Sequence, residues 1–167
     1  MNTQLPIAIT EFFRIIADPD CRHCMGAGVV PGDPVPCPCV LVQFAATPEG
    51  ETARRMAAER RNMRALLNAL GDRLGVWPIY THDGEETERT RTVAAAIAVV
   101  SSTGEGTVHC GKLNPETNKW DKVVSILFVM GNSPEELVAD YSWYLDDPLS
   151  EQAKGLIDEI TQEWEVK

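Results

Sequence analysis

Four cysteines fall within nineteen residues: Cys21 and Cys24, then twelve residues, then Cys37 and Cys39. The stretch between the two pairs holds Gly26, Gly28, Pro31, Gly32, Pro34 and Pro36. Such a segment sustains neither a regular helix nor a long strand, because proline lacks an amide donor and glycine loses the most backbone entropy on ordering. Its shape must come from something other than backbone ladders. A C-x2-C turn aims two sulfurs at one point, and four thiolates suit one tetrahedral zinc ion. Ligation then replaces a core that the segment cannot build. Cys21, Cys24, Cys37 and Cys39 are therefore the expected ligands, in a structural role. Should the C-x-C pair supply only one sulfur, His23, His109 or Cys110 is the substitute. Free thiols and a redox C-x2-C are the competing readings. A redox pair normally opens a helix in a βαβ setting, whereas here glycines follow.

The first half, Cys21 to Gly28, completes the pattern C-x2-C-x-G-x-G. It resembles the zinc knuckles in the cysteine-rich region of DnaJ-type chaperones and in similar zinc-ribbon modules, over about 20 of the 167 residues. The second half departs from that pattern, since Cys37-Pro38-Cys39 is C-x-C with no x-G-x-G after it. A J-domain His-Pro-Asp motif is absent. The resemblance implies zinc and does not extend to chaperone activity.

Around this loop the chain reads as one α+β domain of 167 residues, with a zinc-binding module at about 19–42 and a body at about 43–167. An antiparallel sheet of three or more strands packed by helices is expected. Ile7 to Ala17 reads as a short helix, and Val40 to Phe44 as a short strand. Thr47-Pro48-Glu49 opens the longest helix, with a capping threonine, proline at the first position and an acid in the first turn. Its apolar stripe runs through Ala53, Met56, Ala57, Met63, Leu66, Leu67, Leu70 and Leu74, and Gly71 or Gly75 ends it. Val76 to Tyr80 is a strand and His82-Asp83-Gly84 a turn. Thr90 to Ser101 is ambiguous; its β-branched residues favour a strand. Thr107 to Leu113 and Lys122 to Met130 form a hairpin across a turn at 114–118. Ser133-Pro134-Glu135-Glu136 matches a capping box and opens a helix to about Leu145. Asp147-Pro148 opens a last helix, whose apolar positions are Leu149, Ala153, Leu156, Ile157, Ile160 and Trp164.

Charge narrows the function classes. The net charge is −10, which argues against binding nucleic acid by blanket phosphate neutralisation and against anionic membrane surfaces. No run approaches the apolar length of a membrane span, and the first residues do not read as a signal peptide. A reduced cytoplasm is the expected compartment, the host cytoplasm if a phage encodes the chain. Between Glu135 and Lys167 ten acids face two bases, and between Glu49 and Gly75 six arginines face four acids. Solvated helix faces are the plain reading of both runs.

No phosphate-binding loop, dinucleotide fingerprint or nucleophile elbow occurs. His109 and Cys110 are adjacent on an expected strand and so point to opposite faces. Catalytic residues are expected to be none. Three functional readings follow. The first is a non-enzymatic zinc-binding protein acting through protein–protein contacts. It would be a small acidic regulator or inhibitor of phage or mobile-element type, anti-CRISPR-like by size and charge alone. Its acidic face, with Glu151, Asp158, Glu159 and Glu163, would meet a basic protein surface on a nucleic-acid-handling machine. The second is a nucleic-acid-binding zinc ribbon that uses the basic helix Arg54–Arg64, with Arg54 and Arg61 on one face and Arg60 and Arg64 on another. The third is a redox or metal-dependent enzyme. Of Tyr141, Trp143 and Tyr144, one or two are expected in the core and the remainder at a partner surface.

Overall fold

The computed structural model describes residues 7–32, 35–83, 86–88, 91–144 and 148–165. The chain divides into two compact units, residues 1–54 and 55–167. Among the described residues no helix is long and apolar enough to cross a membrane.

The first unit opens with helix α1 (Ile7–Ile16) and continues through the cysteine loop into helix α2 (Pro38–Ala45). The strand expected at Val40–Phe44 is thus a helix. Cys37 stands in extended backbone just before it, with Pro38 in the first turn. The Cys37 carbonyl accepts from the amides of Val40 and Leu41, at 2.9 and 3.3 Å. Val40, Leu41 and Val42 do not alternate with polar residues, so no strand face forms, and the proline start decides the matter. Val40 is buried with Cys24 and Cys37, while Phe13, Ile16 and Ala17 pack against them half-buried. Phe12, Phe13, Ile16, Pro36, Val40, Leu41 and Phe44 line an apolar groove of about 210 Å³. Thr47 Oγ1 accepts from the Gly50 amide at 3.1 Å and so caps helix α3 (Pro48–Leu74), as the sequence leads one to expect.

The second unit is built on a five-stranded antiparallel sheet in the order β2-β1-β3-β4-β5. Its strands are β1 (Trp77–Asp83), β2 (Glu86–Glu88), β3 (Glu105–Asn114), β4 (Lys119–Val129) and β5 (Val138–Trp143). His82 lies on β1 rather than in a turn, and Gly84 is outside the described residues. The β3–β4 hairpin forms where expected. Asn114 Oδ1 closes its turn by accepting from the Glu116 and Thr117 amides, at 3.0 and 3.4 Å. In register, Val108 opposes Ile126 and Cys110 opposes Val124, which puts these four on one face. Helix α4 (Val93–Thr103), the second half of α3 and helix α5 (Pro148–Glu165) cover that face. They bring Met63, Leu66, Leu67 and Leu70, then Ala96, Ile97 and Val100, then Ala153, Leu156, Ile157 and Trp164 into one core with the strands.

Two expectations in this unit are overturned. Thr90–Ser101 is not a strand: α4 occupies Val93–Thr103. Thr92 Oγ1 accepts from the Ala95 amide at 3.1 Å, and Gly104 ends the helix with φ 86°. These caps, with Ala94, Ala95, Ala96 and Ala98 between them, outweigh the β-branched residues. The helix expected from Ser133 is a single turn. The capping contact forms, with the Glu136 amide donating to Ser133 Oγ at 3.3 Å, but Val138 to Trp143 then pairs with β4. A free sheet edge and a run containing Val138, Tyr141 and Trp143 favour pairing over continued helix. Leu145 to Asp147 lie outside the described residues.

Candidate metal centre

The cysteine loop is shaped by a few backbone bonds. The Cys21 amide donates to Asp18 O at 3.1 Å, and the Met25 amide to Cys21 O at 2.7 Å. Met25 and Gly26 both take positive φ, 49° and 79°. This tight turn points Cys21 and Cys24 the same way. The Ala27 amide then reaches Cys24 O, and the Cys37 amide reaches Gly28 O, each at 2.9 Å. Val29 bridges Pro36 in antiparallel fashion. The loop therefore doubles back and delivers the second cysteine pair onto the first.

Cys21 Sγ lies 3.7 Å from Cys37 Sγ, and Cys24 Sγ 3.6 Å from Cys39 Sγ. All four sulfurs lie within 4.8 Å of one another. Four sulfurs about 2.3 Å from a tetrahedral ion stand about 3.8 Å apart, so the spacing fits one ion at their centre. A disulfide would need about 2.05 Å, and all five cysteines are free thiols. Cys24 and Cys37 are buried; Cys21 and Cys39 are half-buried. Amides of His23 and Cys24 directed at Cys21 hold its thiol down, to about 6. Burial, together with the three neighbouring sulfurs, pushes Cys39 up to about 12. Four thiols this close cannot all ionise without a cation between them, and the cluster could hold a metal ion in that place.

The chain thus brings together all four expected ligands, and among the described residues this is the group of His, Cys, Asp and Glu side chains able to hold a metal ion. His23 is exposed and outside the group. His109 and Cys110 belong to the other unit, and Cys110 is buried in the sheet core. As expected of strand neighbours, the two point to opposite faces.

Of the expected partner-binding residues, Glu151, Glu159 and Glu163 are exposed on α5; Glu159 and Glu163 are four residues apart on one face, and Glu151 lies eight residues before Glu159. Glu159 pairs with Arg73 at 3.2 Å. Asp158 instead turns inward and accepts from the Tyr141 hydroxyl. On α3, Arg54, Arg60, Arg61 and Arg64 are exposed. Arg54 donates to Ala45 O at 2.9 Å and Arg60 to Ser101 Oγ at 3.2 Å. Among the described residues none of the four has a carboxylate within ion-pair distance. Tyr141 packs against the core, while Trp143 and Tyr144 are exposed.

A second cluster escaped the sequence reading. Tyr80, His109, Ser125 and Ser142 form one row across β1, β3, β4 and β5, on the face turned away from the core. Ser125 Oγ lies 2.5 Å from His109 Nδ1 and donates to Tyr144 Oη at 2.9 Å. The Tyr80 and His109 rings stack, with centroids 4.2 Å apart. Lys122 Nζ stands over Tyr144 at 4.6 Å and over Tyr80 at 5.0 Å. Burial, and then the charges of Lys122 and His82, push the His109 imidazole down to about 4. The pairing of His109 with Ser125 follows from the hairpin register and was legible. Tyr144 was not, because its neighbours in β5 read as helix. No family model, characterised protein or solved structure matches this chain.

Proposed function

We propose that the protein is a zinc-stapled, non-enzymatic regulator or inhibitor that works by protein–protein contact in the cytoplasm. The zinc is structural, because four thiolates leave no coordination position for water or substrate. The observation that carries the contact reading is the exposed row Glu151, Glu159 and Glu163 on α5, in a chain of net charge −10. Exposed carboxylates present negative charge as a phosphate backbone does, so the partner is a protein with a basic groove of the kind that nucleic-acid-handling machines carry. Small acidic inhibitors of phages and mobile elements, anti-CRISPR proteins among them, supply the analogy of size and charge.

Native mass spectrometry on protein purified from its host tests both halves. One zinc per chain is expected, lost on Cys24→Ser. A stoichiometric protein partner is expected too, released as salt rises and no longer captured by the Glu151→Gln, Glu159→Gln, Glu163→Gln triple variant. Full zinc in Cys24→Ser ends the metal assignment. Capture that is indifferent to salt and to the triple variant ends the acidic-surface reading.

A second reading rests on Arg54, Arg60, Arg61 and Arg64, exposed and without carboxylate partners among the described residues. Such a stripe can contact phosphates despite the net charge. Submicromolar DNA or RNA binding, lost when Arg60, Arg61 and Arg64 become Gln, would favour it over the first.

A further inference from the structure

The face of the sheet away from the core carries more chemistry than a solvated face needs. Antiparallel sheets commonly pack one face and wet the other, and the wet face is usually an alternation of unrelated polar side chains. Here Tyr80, His109, Ser125, Tyr144 and Lys122 converge instead. Ser125 is only 4% exposed, and it ties the imidazole to the Tyr144 hydroxyl. Lys122 is half-buried and held by two aromatic rings, so its ammonium is a positioned charge rather than a waving one. Among the described residues no carboxylate lies within ion-pair distance of it.

We propose that Lys122, His109 and Tyr144 form a binding site for a phosphate group, either free or as the monoester of a small molecule. Lys122 supplies a point charge with three donors, the mode in which lysine takes phosphate. The Tyr144 hydroxyl is half of a network already ordered by buried Ser125. The single Ser125 proton goes to Tyr144, so His109 Nδ1–H donates to Ser125 and the second ring nitrogen of the neutral imidazole is an acceptor. Lys122 and Tyr144 as donors, with that nitrogen as acceptor, suit a protonated phosphate, whose P–OH donates while its other oxygens accept, better than a carboxylate, which only accepts. The rings of Tyr80 and Tyr144 hold the ammonium in place. This site is separate from the cysteine cluster and owes nothing to the acidic row on α5.

The test is nuclear magnetic resonance of the full chain, titrated with inorganic phosphate and, in a second arm, with glycerol 3-phosphate. Sodium chloride at matched ionic strength is the reference. Expected are saturable shifts at the His109 ring protons and at the Ser125 and Tyr144 amides. Lys122→Gln should weaken binding about tenfold or more, the loss of one charge-assisted contact. Lys122→Arg should stay within a few-fold of the parent. Saturation by inorganic phosphate alone assigns a site for the free ion; tighter binding of the ester assigns a small phosphomonoester. An unchanged melting temperature in Lys122→Gln shows that the fold is intact. Equal shifts with chloride, no saturation in either arm, or undiminished binding by a folded Lys122→Gln protein would overturn the proposal.

Discussion

A β-carbon on Gly28 would lie 2.4 Å from the Phe13 carbonyl oxygen, and the residue holds φ 78°. The contact excludes any other residue, because Phe13 belongs to α1 and its backbone cannot give way, and the angle adds strain for any side chain. Gly32 has nearly the same angle, φ 84°, but nothing within 4 Å. Gly28→Ala should therefore cost at least about 2 kcal/mol through steric overlap plus left-handed strain. Metal affinity, read by competition with a chelating dye, should fall by a factor of about ten or more. Gly32→Ala should pay the angle alone, about 1 kcal/mol, and stay near parental affinity. Equal losses in the two variants would show that the α1 contact is not what shapes the loop. At His109 the relevant quantity is a proton. The folded imidazole titrates near 4 against an ordinary 6.5, so between those values the unfolded chain binds more protons. Stability then rises with pH across that window and falls as pH drops from 6.5 toward 4. In His109→Gln, melting temperatures collected over the same window should slope less steeply than in the parent; parallel curves would mean that the imidazole is not held neutral.

At the scale of elements, the sequence was legible wherever a local signal and the packing agreed. Thr47-Pro48-Glu49 starts α3, Asn114 turns the hairpin, and Leu149, Ala153, Leu156, Ile157, Ile160 and Trp164 line the inner face of α5. It misled where a local signal competed with something non-local. Ser133 and Glu136 do make their capping contact, yet one turn later β4 offers an unpaired edge, and Val138–Trp143 takes it. That edge exists only once β3 and β4 have folded, so no window of sequence displays it. In α4 the deciding signals, Thr92 and Gly104, were present at the ends and were outvoted by the valines between them. Their weight can be measured. Thr92→Ala should lose about 1 kcal/mol in chemical denaturation. Trp164→Ala, which empties a nearly buried site in the core, should lose about 3–5 kcal/mol. A Thr92→Ala protein as stable as the parent would mean that packing of Ala96, Ile97 and Val100 fixes α4 unaided.

For the whole molecule, the two units differ in what holds them. Residues 55–167 enclose a core contributed by three helices and a sheet. The described residues of the 1–54 unit bury little apolar surface: Cys24, Cys37 and Val40, with Phe13, Ile16 and Ala17 half-covered. Two of those three buried side chains are themselves proposed ligands. The four cysteines were the most legible feature of the sequence because spacing alone specifies the chemistry. The cluster beside His109 was the least legible, since it assembles from four strands. The same contrast sets an expectation for metal removal. Binding of a structural zinc contributes folding free energy directly, so a strong chelator should dissolve the order of residues 19–45 while the sheet keeps its own. Hydrogen exchange read by mass spectrometry should show the amides of Met25, Ala27 and Cys37 losing protection in the chelated protein. The amides of β3 and β4 should exchange at their former rates. Re-adding zinc should restore the first set. If chelation instead left the loop protected, a metal would not be what shapes it, and the hydrogen bonds around Cys21 and Gly28 would have to suffice. If β3 and β4 lost protection together with the loop, the metal would be stabilising the entire chain as one cooperative body.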